Sequence, residues 1–220
     1  MEKINMKILI IGGGNVGGYV INNIEQFTAS FEIIGILDDD PSKIGQYLFL
    51  IPVLGKIYQV HAIASSYEHL GVVISIANPT VKQRIVKRLS TILNISFPNV
   101  IHQQCWISNQ VELGYGNIVY PNASINYETI IHNFVTINMN ASLGHNCVLH
   151  DYTTVSPGVD IAGFTVVGQS TFLGLGCNAI QGHTIGQEVI IGAGAVLIQD
   201  VPDYAVVVGN PGKVIKYTNE

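Results

Sequence analysis

His145 stands in the run Gly144-His145-Asn146-Cys147-Val148. An imidazole titrates near neutrality, so a histidine held clear of a core can take a proton from an attacking amine or hydroxyl. Two more histidines, His132 and His150, lie eighteen residues apart. Nearer the N-terminus, Gly12-x-Gly14-x-x-Gly17 follows the apolar run MKILII, and Asp38-Asp39-Asp40 closes a second run, FEIIGIL. Glycines at that spacing let a backbone turn tightly and approach a pyrophosphate, whose charge is met by free N–H groups at a helix start. An acidic residue where Asp38 falls, 21 residues beyond Gly17, can meet a ribose hydroxyl. The chemistry on offer is proton abstraction in one place and nucleotide binding in another.

A repeat positions the histidines. From Ile101 to Leu197 every sixth residue is Leu, Ile or Val, Ala179 excepted, with no residue inserted or deleted between them. The position four further on is mostly small, as at Ala123, Thr129, Ala141, Thr153, Thr165 and Ala195. A period of six matches neither a helix nor a plain strand. It predicts a coil with three short flat sides, each turning one large and one small residue inward, stacked into a hexapeptide β-helix. Cys105, Cys147 and Cys177 all occupy the small inward position and are expected as core residues, not ligands or disulfide partners. His145 holds the third position of its hexad and should point outward. His132 and His150, one coil apart, should stack roughly 4.8 Å apart, the spacing of neighbouring strands.

The glycine loop needs a different frame. Met6 to Ile11 reads as a buried strand, Asn15 to about Gln26 as the helix after the loop, and Phe31 to Leu37 as a second strand. A third strand, Val72 to Ala77, runs into Asn78-Pro79, a good N-cap and first-turn pair. The helix from there to about Leu93 is expected to carry Lys82, Arg84, Lys87 and Arg88 on its outer faces. Ile51-Pro52-Val53-Leu54-Gly55 reads as a loop over the sheet edge. Residues 1–95 are therefore predicted as a Rossmann-like α/β domain of three or four parallel strands, and 96–220 as the solenoid with a C-terminal tail. So short a domain is unlike one that holds a whole NAD, and a sugar nucleotide fits it better.

Of the 220 residues, 48% are hydrophobic and 11% charged, less than half the usual charged share of about 25%. A solenoid whose repeats cover one another explains this, as would an oligomer face. The net charge of −5 argues against nucleic acid, which demands a basic surface. There is no apolar run of membrane-spanning length and no leader pattern before the first strand, so a soluble cytoplasmic protein with no membrane partner is expected.

The glycine loop, aspartate cluster, unbroken hexads and terminal Gly209-Asn210-Pro211-Gly212-Lys213 together resemble the sialic-acid O-acetyltransferase and nucleotide-aminosugar N-acetyltransferase family. The resemblance covers essentially the whole chain. It implies a left-handed parallel β-helix, a homotrimer, acetyl-CoA bound between neighbouring β-helices, and an N-terminal domain that holds the nucleotide of the acceptor. It also implies that His145 is the general base, with Asn146 beside it where the family carries an acid. Thr154 stands where the family has a second histidine near CoA. Gly163, Ala193 and Lys213 are carried over to the CoA groove, and Asn138, with Gly12, Gly14, Gly17, Asp38 and Asp39, to the acceptor. N-acetylation of a nucleotide-linked amino sugar for surface glycans is the reading, with no metal. Amine transfer is preferred because the N-terminal domain is built for a nucleotide; sugar O-acetylation is the alternative.

Two other classes compete. His132 and His150, with His145 of an adjacent subunit, resemble the zinc ligands of the γ-class carbonic anhydrases, which use the same β-helix. The glycine-loop domain and the Asn-Pro-Gly-Lys ending oppose that reading. A non-catalytic scaffold that binds sugar nucleotides is the third.

Overall fold

The last four residues of MKILII are fully buried, as in a strand covered on both faces, and they form the centre of the first sheet. This strand, β1 (Met6–Ile11), is flanked in parallel by β2 (Phe31–Leu37) and β5 (Leu70–Ile74). The computed structural model describes residues 5–219 and divides into two units after Val100. In the first unit β3 (Tyr47–Leu48), β4 (Ile51–Gly55) and β6 (Ile95–Ser96) complete a sheet of order β3-β4-β2-β1-β5-β6. All neighbours are parallel except β3 with β4. Chain order reverses at β1, and the glycine loop follows its carboxyl end, the position at which open α/β sheets take their ligands. Helices α1 (Asn15–Asn22), α2 (Val60–Ala64) and α3 (Pro79–Leu89) connect the strands.

Several expectations are corrected here. Ile51–Gly55 is a strand paired with β2, not a loop. Pro52 disguised it, yet the neighbour on its free side is only the two-residue β3. The sheet thus has five parallel strands instead of three or four. Helix α1 stops at Asn22 because Asn22 and Asn23 turn their amides back onto Gly18 O and Tyr19 O, at 2.7 and 2.8 Å. Ser90 and Thr91 bond back in the same way to Lys87 O and Arg88 O and end α3 four residues early. Strand β5 ends at Ile74, where Ser75 turns to the glycine loop. Lys82 is not on an outer face: it is buried with Ile85, Val86 and Leu89 on one stripe of α3.

The second unit is a left-handed parallel β-helix. Its two-residue strands form three faces. Face A runs from Val100–Ile101 through Thr136–Ile137 and Thr154–Val155 to Ile190–Ile191. Face B includes Ser124–Ile125, Ser142–Leu143 and Asp160–Ile161, and face C includes Ile130–Ile131, Val148–Leu149 and Val166–Val167. The large hexad residues from Val119 to Leu197 line one continuous core. Threonines at the small position are buried because each hydroxyl donates to a corner carbonyl, as Thr129 does to Gly144 O at 2.9 Å. Each corner from Gln110 to Gly194 is turned by a residue with positive φ, among them Glu128 (55°), Phe134 (57°), Asn146 (57°) and Phe164 (60°). Bulky residues there are disfavoured. Phe134 is buried and holds its place through Tyr115, edge-on at 5.4 Å, and Tyr152, stacked at 5.4 Å.

Beyond Val201 the chain makes an antiparallel pair, Ala205–Val208 with Lys213–Tyr217, that extends face A to eight strands. Exposed Lys213 and Lys216 mark its outer edge, a common guard against further pairing. Among the described residues no helix is long and apolar enough to cross a membrane.

Candidate active site

His145 sits at the corner between faces B and C. Its half-buried ring stacks under Tyr127 one coil away, centroids 5.3 Å apart and planes 11° apart, and Phe164 meets it edge-on at 4.9 Å. On the other side lies Gly163, where an added Cβ would come within 2.8 Å of Cε1 and 2.9 Å of Nε2. Any side chain there would push the imidazole out of its slot. Nδ1 lies 2.9 Å from Asn146 Oδ1, and Asn146 Nδ2 donates to Glu128 Oε2 at 2.6 Å. An amide oxygen can only accept, so Nδ1 carries the hydrogen and Nε2 keeps a lone pair.

The Gly163 N–H takes no part in the backbone ladder that engages Gly144, Ala162 and Phe164. Beside this corner, face B carries an open groove of about 660 Å³ lined by Ser124, Asn126, Ser142, Gly144, Asp160 and Asn178. Gly163, at the His145 corner, and Ala193, at the next corner round, flank that face, and Ala193 and Lys213 are exposed. Thr154 and Asn138 belong to face A, the side that the His145 corner does not touch. Asn138 Nδ2 is bonded to Val155 O at 2.8 Å. One chain therefore does not bring all the expected site residues together.

His132 and His150 stack as their spacing predicts, with centroids 4.9 Å apart and planes 8° apart. Parallel rings set their nitrogens side by side instead of aiming them at one point. Asp151 accepts from Asn133 N and Nδ2 at 2.8 and 3.0 Å. Burial lowers the His150 pKa, and the neighbouring His132 adds to this. Among the described residues no cluster of three His, Cys, Asp or Glu side chains is arranged to hold a metal. Burial raises the thiols of Cys105 and Cys177, to about 11 and about 12, and that of Cys147 as well, so they are core residues of low reactivity.

In the α/β unit the three glycines differ. A Cβ on Gly17 would collide with the backbone oxygen of Gly12, so close backbone packing requires glycine there. Gly12 has φ +102°, which favours glycine on conformational grounds. Gly14 is the N-cap of α1, with φ −94° and nothing within 4 Å of an added Cβ, so it faces open space.

Asp38 accepts from Gly13 N and Lys43 Nζ, both at 2.8 Å, and from Asp40 N at 2.9 Å. Burial alone would raise its carboxyl, but hydrogen bonds from Lys43, Asp40 and Gly13 outweigh that and hold it below the ordinary value. Asp39 accepts from Ile57 N at 3.0 Å at the start of a helical turn. Both aspartates thus brace the loop region from within the domain. Sequence reasoning missed Ser75, whose buried hydroxyl lies 2.7 Å from Gly12 O, and Leu48 and Phe49, which pack where Cβ atoms on Gly13 and Gly18 would be. It also missed Tyr127 and Glu128, although both are found by counting eighteen residues back from His145 and Asn146.

Residues 7–89 match the family model described as the PglD N-terminal domain. Over 97% of this chain and 98% of the other, the protein is similar to perosamine N-acetyltransferase from Caulobacter crescentus, solved with CoA and GDP-perosamine as a histidine-to-asparagine variant (28% identity, TM-score 0.88). The acetyltransferase domain of PglB from Neisseria gonorrhoeae, in complex with acetyl coenzyme A, gives 28% identity and TM-score 0.85 over 96% of this chain and all of that one. WeeI from Acinetobacter baumannii gives 26% and 0.75 over 96% of this chain and 100% of its own. A curated relative, the redox-sensing transcriptional repressor Rex 1 of Thermotoga maritima, is 46% identical over 44 residues, about a fifth of either protein.

Proposed function

We propose, from the similarity of this chain to nucleotide-aminosugar acetyltransferases, that it transfers an acetyl group from acetyl-CoA to the amine of a nucleotide-linked amino sugar in surface-glycan synthesis. The observation that carries this is the His145 corner. Its ring is clamped between Tyr127 and Gly163, with Nδ1 committed to Asn146 and Nε2 without a hydrogen-bond partner among the described residues. Nε2 takes the proton as the amine nitrogen attacks the thioester carbonyl. The Gly163 N–H, outside the backbone ladder, serves as donor to the oxyanion of the tetrahedral intermediate. As the carbon–sulfur bond breaks, the imidazolium returns its proton to the departing thiolate.

The nucleotide binds at the Gly12–Gly17 loop, with its phosphates over Gly14. The groove on face B beside Gly144 seats the pantetheine arm, with Gly163 and Ala193 along its edges and Lys213 toward the phosphate end. Asn138 and Thr154 lie on face A, away from their own chain's His145. They join a site if a second subunit presents that face to the corner, which supports a homotrimer with shared sites. A cytoplasmic location fits a reaction whose two substrates are acetyl-CoA and a nucleotide sugar.

A thiol-release screen with acetyl-CoA across UDP-, dTDP-, GDP- and CMP-linked amino sugars tests the reading. We expect release with at least one of them and none from the corresponding hydroxyl sugars. Absence of release across the whole panel would favour a binding scaffold.

A further inference from the structure

We propose that Glu128 is a positioning residue for His145, acting through Asn146 to decide which imidazole nitrogen carries the proton. This deepens, and rests on, the reading of His145 as the base. The residue after His145 is an amide, which cannot by itself choose a tautomer. Its oxygen end accepts and its nitrogen end donates, and the two ends are nearly the same shape. Turned one way, Asn146 accepts from Nδ1–H and leaves Nε2 as the base. Turned the other way, it donates to Nδ1, fixes the proton on Nε2, and removes the lone pair that the reaction needs.

Glu128 breaks this symmetry. A carboxylate only accepts, and Glu128 Oε2 lies 2.6 Å from Asn146 Nδ2, a short charge-assisted contact. The amide nitrogen is thereby held toward Glu128 and the oxygen toward His145 Nδ1, 2.9 Å away. The register is built into the coil. Glu128 and Asn146 are the same corner position in successive coils, with φ of 55° and 57°, so strand pairing holds their backbones in line. The Asn146 N–H also donates to Tyr127 O at 3.1 Å, which ties the two corners together next to the side-chain bond. Tyr127 above and Gly163 below confine the ring to one plane, so the choice left to it is the one Glu128 controls. The arrangement delivers the orienting effect of a carboxylate from one coil away, through an amide, where a directly adjacent acid would otherwise act.

The test compares full-length wild type, Glu128→Ala, and the double substitution Glu128→Gln with Asn146→Asp. Each is assayed for kcat and both KM values, and each is examined by imidazole nitrogen chemical shifts of His145 without substrates. In Glu128→Ala we expect kcat to fall about tenfold with both KM values unchanged, the scale of one lost orienting hydrogen bond. The spectrum should shift from the Nδ1–H toward the Nε2–H form. The double substitution reverses one link, since the introduced amide donates to the introduced carboxylate, which still accepts from Nδ1–H. It should restore both the tautomer and kcat to near the wild-type values. An unchanged His145 spectrum in Glu128→Ala, or failure of the double substitution to restore the tautomer, overturns the proposal. If wild type transfers no acetyl group, the functional reading falls, while the tautomer comparison still decides the role of Glu128.

Discussion

In the β-helix a side chain is placed by the residues one coil above and one coil below, whereas in the α/β unit it is placed by contacts that occur once. His145 lies between Tyr127 and Gly163 because the three share a corner position eighteen residues apart. The glycine loop is held by unrelated residues: Asp38 on Gly13 N, Ser75 on Gly12 O, and Leu48 and Phe49 packed against its glycines. Regularity therefore makes exceptions informative. A corner that stacks an imidazole on a bare glycine stands out against the repeat, while in the α/β unit a motif glycine must be tested one at a time for what it touches.

The largest effect that sharpens this contrast is expected from His145→Ala. Loss of a general base costs about 10²-fold or more in turnover. The ring is half-buried at a corner and contributes nothing to the continuous core, so the β-helix should remain intact by circular dichroism. Turnover near that of wild type would remove His145 from the mechanism and leave the corner a structural stack.

Next is Gly163→Ala. The added methyl meets Cε1 at 2.8 Å and Nε2 at 2.9 Å, and the imidazole is the group able to move. A displacement of about 1 Å at a catalytic group can cost up to 10²-fold, so kcat should fall about tenfold or more. If instead the acetyl-CoA KM rises at constant kcat, Gly163 serves the groove and not the base.

The glycine loop gives a matched pair of smaller effects. Gly14→Val has room and an ordinary φ, so it should lower the melting temperature only slightly, valine being a weaker N-cap than glycine, while the nucleotide-sugar KM rises about tenfold, as a side chain intrudes on the proposed phosphate seat. Gly17→Ala drives a methyl onto Gly12 O and should destabilise the unit by about 1–3 kcal/mol, the range for overpacking. Equal KM effects of Gly14→Val on both substrates would make the whole loop structural.

The same contrast governs how much could be read from sequence. The hexads, the outward His145 and the His132–His150 stack were all legible, because an unbroken six-residue period fixes both register and face. The positive φ at each corner was not, since its occupants range from Gly158 to Asn146 to Phe164 and share no residue type. Nor was the Glu128 contact, which becomes visible only once corners are compared coil by coil. In the α/β unit the first two strands and the Asn78 cap could be read, the cap being confirmed by Val81 N donating to Asn78 Oδ1 at 3.0 Å. The Ile51–Gly55 strand was hidden by Pro52. The two aspartates had the expected location, but their hydrogen bonds lead inward to Gly13, Asp40 and Ile57, and such bonds depend on tertiary approach.

The smallest effect expected, and the one furthest from any site, concerns Lys82. Charge suggested a solvent-facing residue, yet its spacing from Ile85, Val86 and Leu89 continues the buried stripe of α3. Burial lowers its amine from 10.5 to about 8. The sign follows from linkage: between those two values the unfolded chain binds the proton and the folded chain does not, so stability rises with pH across that window. Below about pH 8 both states are protonated and the folded unit bears the net cost of burying the charge. Lys82→Met keeps the length of the chain and removes the charge. It should stabilise the α/β unit at neutral pH by on the order of 2 kcal/mol, with the gap to wild type closing as the pH rises toward 10.5. Urea unfolding followed by the circular dichroism of the helices, repeated across that range, measures it. A gap that is absent at neutral pH or does not close with pH would mean that the Lys82 ammonium is fully compensated where it lies, and that burial on this stripe costs the fold nothing.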